Sequence, residues 1–250
     1  MITLKNICKK FDNKIVLDNF SHSFESGITI LMGKSGSGKT TLINIILGLI
    51  VPDSGEVKYN IGGKVDLKDI QFGAVFQEDR LFESFSVLEN VNAINAKNAL
   101  EFLQKVNLQN DLKKKVYNLS GGMKRRLSLA RALAVNPDYL ILDEPFSGLD
   151  KKTKHEILDL VIDYSKKIPA IIVLHDLPDA KYVYLFRAWL SPANASIRFF
   201  SVFVPFKFIF YLSLFLPVFF TVQLSITILP PRYFASGKSC KTIIAGIFLE

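Results

Sequence analysis

Eight consecutive residues, Gly33-Lys34-Ser35-Gly36-Ser37-Gly38-Lys39-Thr40, constrain this chain more than any average taken over it. They satisfy the pattern GxxxxGK[ST] and stand between an apolar run, Gly27 to Met32, and a helical period from Thr40 to Leu49. That strand-loop-helix setting is the one the pattern requires. Gly33, Gly36 and Gly38 let successive backbone N–H groups turn toward phosphate oxygens with no Cβ in the way, while Lys34, Ser35 and Ser37 complete the loop. The helix that follows directs the positive end of its dipole at the same anion. Lys39 adds a full charge against the β and γ phosphates, and the Thr40 hydroxyl, with Thr41 beside it, can reach a Mg²⁺ ion. Such a loop binds a nucleotide, but it does not by itself separate kinases, GTPases, helicases and transport ATPases.

Later residues narrow the choice. Tyr139 to Leu142 and Ala170 to Leu174 are apolar runs without alternation, which indicates strands covered on both faces, as in a parallel sheet between helices. Val87 to Val106 and Leu119 to Val135 read as helices with no strand between them, so a helical insert is expected. Asp143 and Glu144 end the strand at Tyr139. One carboxylate there can hold Mg²⁺ while its neighbour polarises an attacking water. An Asp-Glu pair in that position is equally read as a solvated cap in isolation, and the phosphate-binding loop tips the balance. His175 closes the run from Ala170, where a histidine is also a common structural residue. Leu119-Ser120-Gly121-Gly122-Met123 precedes an Arg-rich amphipathic helix, and its glycines allow an anion to approach a helix N-terminus closely. An ordinary capped helix would read the same way.

The order of the motifs, namely the phosphate loop, Gln77, LSGGM, LILDE, Ser147-Gly148-Leu149-Asp150 and His175, resembles the nucleotide-binding subunit of an ATP-binding cassette (ABC) transporter over residues 1 to about 181. The resemblance implies an α/β P-loop NTPase fold, a RecA-like mainly parallel sheet with helices on both faces, with antiparallel β elements and a helical subdomain at about 85–135. It implies ATP and Mg²⁺ as ligands, and two cassettes closing head to tail in a homodimer. Ser120, Gly121 and Gly122 would then meet the γ-phosphate held by the partner's loop, residues Gly33 to Thr41, and Asp150 would lie on the dimer seam. Glu144 would be the general base, Asp143 and Thr40 the Mg²⁺ partners, His175 the γ-phosphate sensor, and Gln77 the link from Mg²⁺ and water to the membrane partner. Phe11 matches the aromatic that stacks on adenine, although a core phenylalanine is nearly as good a reading. The stretches Gln77 to Leu81 and Val87 to Val91 are similar to the importers of nitrate, sulfonate and taurine. Arg125 stands where that family commonly has glutamine. The implied partners are transmembrane permease subunits and a solute-binding protein, at the cytoplasmic face of the membrane. No Asn-Lys-x-Asp motif follows to read guanine, and no second cassette suggests the twin-cassette factors of translation.

Composition adds one boundary. Net charge is +8, yet residues 1–179 hold 24 basic and 22 acidic side chains, and residues 180–250 hold seven basic and one acidic. The balanced first part argues against nucleic acid as a partner despite the basic total. Cys8 and Cys240 form no metal-binding cluster. Residues 1–11 carry Lys5, Lys9 and Lys10 and no apolar stretch of signal-peptide length, so a cytosolic N-terminus is expected. Beyond residue 181 the family pattern stops, and an atypical hydrophobic tail, 182–250, follows. It includes 22 uncharged residues from Phe208 to Leu229, enough as a helix to span a bilayer core. A membrane anchor, the product of a shifted reading frame and an unusual native segment all account for it. The function implied is an ATPase subunit of an importer. An inactive or truncated nucleotide-binding module and a membrane-tethered half-transporter are the alternatives.

Overall fold

A computed structural model describes residues 1–12, 14–94, 96, 98–174, 197–201 and 226–228. The chain divides into two compact units, residues 1–58 with 173–250, and residues 59–172.

In the first unit, Ile2–Phe11 (β1) and Lys14–Phe24 (β2) pair antiparallel from Ile2↔Phe24 to Phe11↔Lys14. Ile2, Leu4, Ile7, Leu17, Phe20 and Phe24 are buried, so both strands turn an apolar face inward, as half-buried strands do. The register slips between Leu4 and Ile7. Asn6 and Asn19 take up the irregularities at φ +52° and +46°, a conformation asparagine tolerates better than most residues. The Ser21 hydroxyl accepts the Asn6 N–H at 2.8 Å. Ile28–Met32 (β3) is buried at every residue and leads to the helix Lys39–Ile46 (α1), whose Leu42, Ile43, Ile45 and Ile46 are buried. Ser54–Tyr59 (β4) completes a sheet of order β2-β1-β4.

The second unit opens with Phe72–Val75 (β5). Val87–Asn92 (α2), Ala99–Lys105 (α3) and Gly121–Ala134 (α4) form the helical insert. The helix expected over 87–106 is thus two helices. The sequence between them holds Asn95 and Asn98, and asparagine side chains compete with a helix for backbone groups. Tyr139–Asp143 (β6) runs parallel to β5, from Phe72↔Tyr139 to Val75↔Leu142. Lys151–Ser165 (α5) precedes Ala170–Leu174 (β7), and the strand order is β5-β6-β7. Gly73 is where α4 lies tight on the sheet: a Cβ there would fall 2.3 Å from the Ala132 carbonyl oxygen.

Two further strands come from beyond residue 181. Ile197–Ser201 (β8) runs parallel to β3, Ile28↔Ile197 to Met32↔Ser201, and Ile226–Ile228 (β9) runs parallel to β8. The uncharged stretch 208–229 therefore does not continue as one helix to its end. Mean hydropathy cannot tell a strand inside a sheet from a membrane helix, and β-branched Ile226, Thr227 and Ile228 favour the strand. Residues 208–225 lie outside the described residues. No helix among those described is long and apolar enough to cross a membrane.

Candidate functional site

The loop between β3 and α1 is shaped by two backbone positions that only glycine occupies comfortably. Gly36 and Gly38 have φ +76° and +85°. At Gly38 a Cβ would also press on the Val16 carbonyl oxygen at 3.1 Å, whereas at Gly36 it would meet nothing within 4 Å. The open side of the loop is therefore at Gly36. The Ser37 N–H donates to the Lys34 carbonyl at 3.1 Å and closes the turn. Lys39 is only 6% exposed, and its Nζ donates to the carbonyls of Gly33 at 2.7 Å and Lys34 at 3.0 Å. A buried ammonium is expensive unless an opposite charge or several acceptors meet it. The Ser37 hydroxyl is buried and has no hydrogen-bond partner among the described residues, an exception that an acceptor or donor from outside the chain would resolve. An oligophosphate fits these features: it supplies negative charge to Lys39 and acceptor oxygens to Ser37. Lys34, Ser35 and Thr40 are exposed and Thr41 is half-buried.

In the second unit, Asp143 ends β6 and is 2% exposed, so it is not a solvated cap. Glu144 follows at φ +52°, a left-handed conformation that costs a non-glycine residue free energy and recurs at functional sites. The chain then turns, with the Ser147 N–H donating to the Glu144 carbonyl at 3.2 Å. Asp150 caps α5, accepting the Thr153 N–H at 3.1 Å. Hydrogen bonds from the Thr153 side chain and amide hold its carboxyl below the usual range.

Ser120 caps α4 and accepts the Met123 N–H at 3.3 Å. A Cβ on Gly121 would meet nothing within 4 Å, while one on Gly122 would lie 3.3 Å from the Gly148 carbonyl oxygen and 3.4 Å from Leu149 Cδ2. The start of α4 and the loop 147–150 are thus in contact, with Gly121 facing open space. Gln77 is exposed, in the segment after β5. Phe11 closes the hairpin opposite Lys14 and is 43% exposed, which removes the reading of a core phenylalanine. His175 lies outside the described residues. The phosphate loop and Phe11 belong to the first compact unit, and Gln77, Ser120 to Gly122, Asp143, Glu144 and Asp150 to the second.

Divalent magnesium is commonly held by one or two carboxylates together with substrate phosphates. Asp143 and the Thr40 hydroxyl are of the required chemistry, and among the described residues no group of three acidic, His or Cys side chains forms a ready-made cage. The sequence left Arg125 without a role. Here it is buried against the segment that carries Gln77, bonded to the Gln77 carbonyl at 3.1 Å. The signal was present as polar residues recurring every third position, Arg125, Ser128 and Arg131, on a helix otherwise rich in buried Leu and Ala.

Comparison with known proteins agrees with these features. The family model described as ABC transporter matches residues 17–147. The chain is 36% identical over 197 residues to a taurine import ATP-binding protein of Roseobacter denitrificans, covering 72% of this chain and 73% of that protein. It is 38% identical over 197 residues to a sulfate/thiosulfate import ATP-binding protein of Mesostigma viride, covering 72% of this chain but 56% of that one. The chain therefore spans little more than half the length of the second relative. Among solved structures, an ATP-binding cassette dimer in a post-hydrolysis state with ADP and Pi aligns with TM-score 0.66 and 30% identity, over 73% of this chain and 91% of that one.

Proposed function

The chain belongs to the ABC transporter family, and from that premise we propose that it is the ATP-binding subunit of an importer, hydrolysing ATP to drive a separate membrane subunit. The observation that carries this reading is the pairing of a buried Lys39 ammonium with an unpartnered Ser37 hydroxyl in a loop that opens at Gly36. A triphosphate supplies an acceptor oxygen to the Ser37 hydroxyl and a stronger acceptor to Lys39 than the loop carbonyls that hold it at 2.7 and 3.0 Å.

Gly33 to Thr41 bind and orient the phosphates. Lys39 transfers its hydrogen bonds from loop carbonyls to phosphate oxygens. Glu144 orients the attacking water and takes its proton, and the roles assigned to Gln77 and His175 are the link to the membrane partner and the sensing of the γ-phosphate. Thr40, Asp143 and Gln77 are the residues that would hold Mg²⁺, and the ion would supply positive charge against the phosphates. Phe11 is exposed and able to stack on a base. The open face at Ser120 and Gly121 suits a phosphate brought by a second cassette, and Asp150 lies beside that seam. The two relatives are named for different solutes, taurine in one and sulfate or thiosulfate in the other. This fits a division of labour in which the cassette handles nucleotide and the permease, with its solute-binding protein, handles cargo. The working place of such a subunit is peripheral, at the cytoplasmic face of the membrane.

The test is paired. Glu144→Gln should retain ATP binding and lose at least about tenfold in turnover, since general-base removal typically costs that much or more. Lys39→Ala should weaken ATP binding itself. Turnover unchanged in the first variant, or affinity unchanged in the second, refutes the assignment. Binding without turnover in the wild type would leave a regulatory nucleotide-binding module.

A further inference from the structure

The segment that carries Gln77, residues 76–85, contains neither helix nor strand, yet its carbonyls are bound one after another by side chains. Arg125 of α4 donates through Nη1 to the Phe76 carbonyl and through Nη2 to the Gln77 carbonyl at 3.1 Å, and Nη1 also lies 3.2 Å from the Asp79 carboxylate. The Ser128 hydroxyl donates to the Asp79 carbonyl at 3.0 Å, and Arg131 Nη1 to the Arg80 carbonyl at 2.9 Å. At the far end, Asn90 donates to the Phe82 carbonyl and accepts the Phe82 N–H, both at 3.0 Å. Positions 125, 128 and 131 share one helical face, so a single stripe of α4 holds the segment down.

Arg125 begins that stripe and makes three of its contacts. It is 6% exposed, and a guanidinium is tolerated at such depth only when its donors are matched, which two carbonyls and a carboxylate do here. Glutamine, common at this position in the family that the motifs resemble, offers one NH₂ group. It cannot span two successive carbonyls and still neutralise Asp79. We propose that Arg125 is a positioning residue: it clamps the backbone of Phe76 and Gln77 to α4, the helix that Ser120 caps, so that the Gln77 side chain is presented from a backbone fixed against that helix. Its effect on turnover rests on the ATPase reading above, whereas the clamp itself does not.

The experiment compares the full-length wild type with Arg125→Gln, Arg125→Lys and Ser128→Ala. Trypsin cleavage of the Arg80–Leu81 bond, followed by mass spectrometry against cleavage at Lys152 as an internal standard, reports opening of the segment. Arg125→Gln should accelerate that cut about fivefold or more with the Lys152 site unchanged. Arg125→Lys, which restores the charge but not the fork, should fall between. In ATPase assays Arg125→Gln should lower kcat severalfold and leave KM for ATP within twofold. Unchanged cleavage after Arg80 in Arg125→Gln overturns the clamp, whatever happens to kcat. If that variant does not fold, Ser128→Ala, which loosens Asp79 alone, decides in the same way: faster cleavage supports the clamp and unchanged cleavage overturns it. A cleavage contrast in a wild type without turnover upholds the clamp and defeats the ATPase reading, and turnover without the contrast does the reverse.

Discussion

At Glu144 the chemistry proposed for the side chain and the conformation of the backbone are in opposition. The φ of +52° is held by the surroundings, since a non-glycine residue there costs on the order of 1 kcal/mol. Glu144→Gly should therefore be more stable than Glu144→Ala by about 1 kcal/mol in denaturant unfolding, while both lack turnover. Equal stability would mean that the turn imposes no strain. Tyr139 presents the opposite case, a fully buried phenol whose hydroxyl has no hydrogen-bond partner among the described residues and whose titration burial pushes upward. Tyr139→Phe should raise stability by about 1 kcal/mol, because an unmatched buried hydroxyl is removed at constant shape. A loss of stability on the same measurement would show that the hydroxyl is paired. Neither feature was legible in the sequence. A lone Tyr in an apolar run reads as a good strand former, and a Glu after an Asp carries no mark of its φ.

Among elements, α2 shows how much a few local residues specify. Ser86 and Glu89 form a reciprocal cap, with Ser86 N–H to Glu89 Oε2 at 2.6 Å and Glu89 N–H to Ser86 Oγ at 3.2 Å, and Lys115 reaches the same carboxylate at 3.1 Å. The Ser86 amide and hydroxyl, then Lys115, pull the Glu89 carboxyl down to about 2. Its folded-state value is below the ordinary 4.5, so the stabilisation is complete above that ordinary value and fades as pH falls toward 2. The stability gap between wild type and Glu89→Gln, followed by denaturant unfolding across that range, should close on acidification. A gap independent of pH would remove the charge from the account. The packing of α4 on β5 is a different kind of specification. The Gly73 backbone comes so close to Ala132 that Gly73→Ala must move one element against the other, at a cost of about 2 kcal/mol in unfolding free energy. The S-x-x-E cap can be found in the sequence because its partners are three residues apart. The Gly73 contact cannot, because its partner is nearly sixty residues away.

For the whole molecule, the face at Ser120 and Gly121 gives the proposed dimer a direct test. Glu144→Gln with ATP should run at twice the monomer mass in size exclusion with light scattering, and with ADP as a monomer. A monomer under both conditions would count against head-to-tail closure. The stretch past residue 181 is tested separately by alkaline extraction of membranes from cells that make the full chain. Release into the supernatant excludes a spanning segment. The placement of β8 beside β3 and β9 beside β8 makes release the expected result.

Sequence by itself determined the phosphate loop, the buried strands β3, β6 and β7, the cap of α4 and the order of the motifs. Each is written in residues that are neighbours in the chain or recur at the period of one element, and side-chain chemistry at short range is carried by the residues themselves. Tertiary structure alone decided that Asp143 is buried, that Phe11 is exposed, that Ser37 is left unmatched and that Arg125 reaches back almost fifty residues to hold the backbone of Gln77. Burial and hydrogen-bond satisfaction depend on which distant segments pack on a residue. That information exists only once the chain has closed on itself.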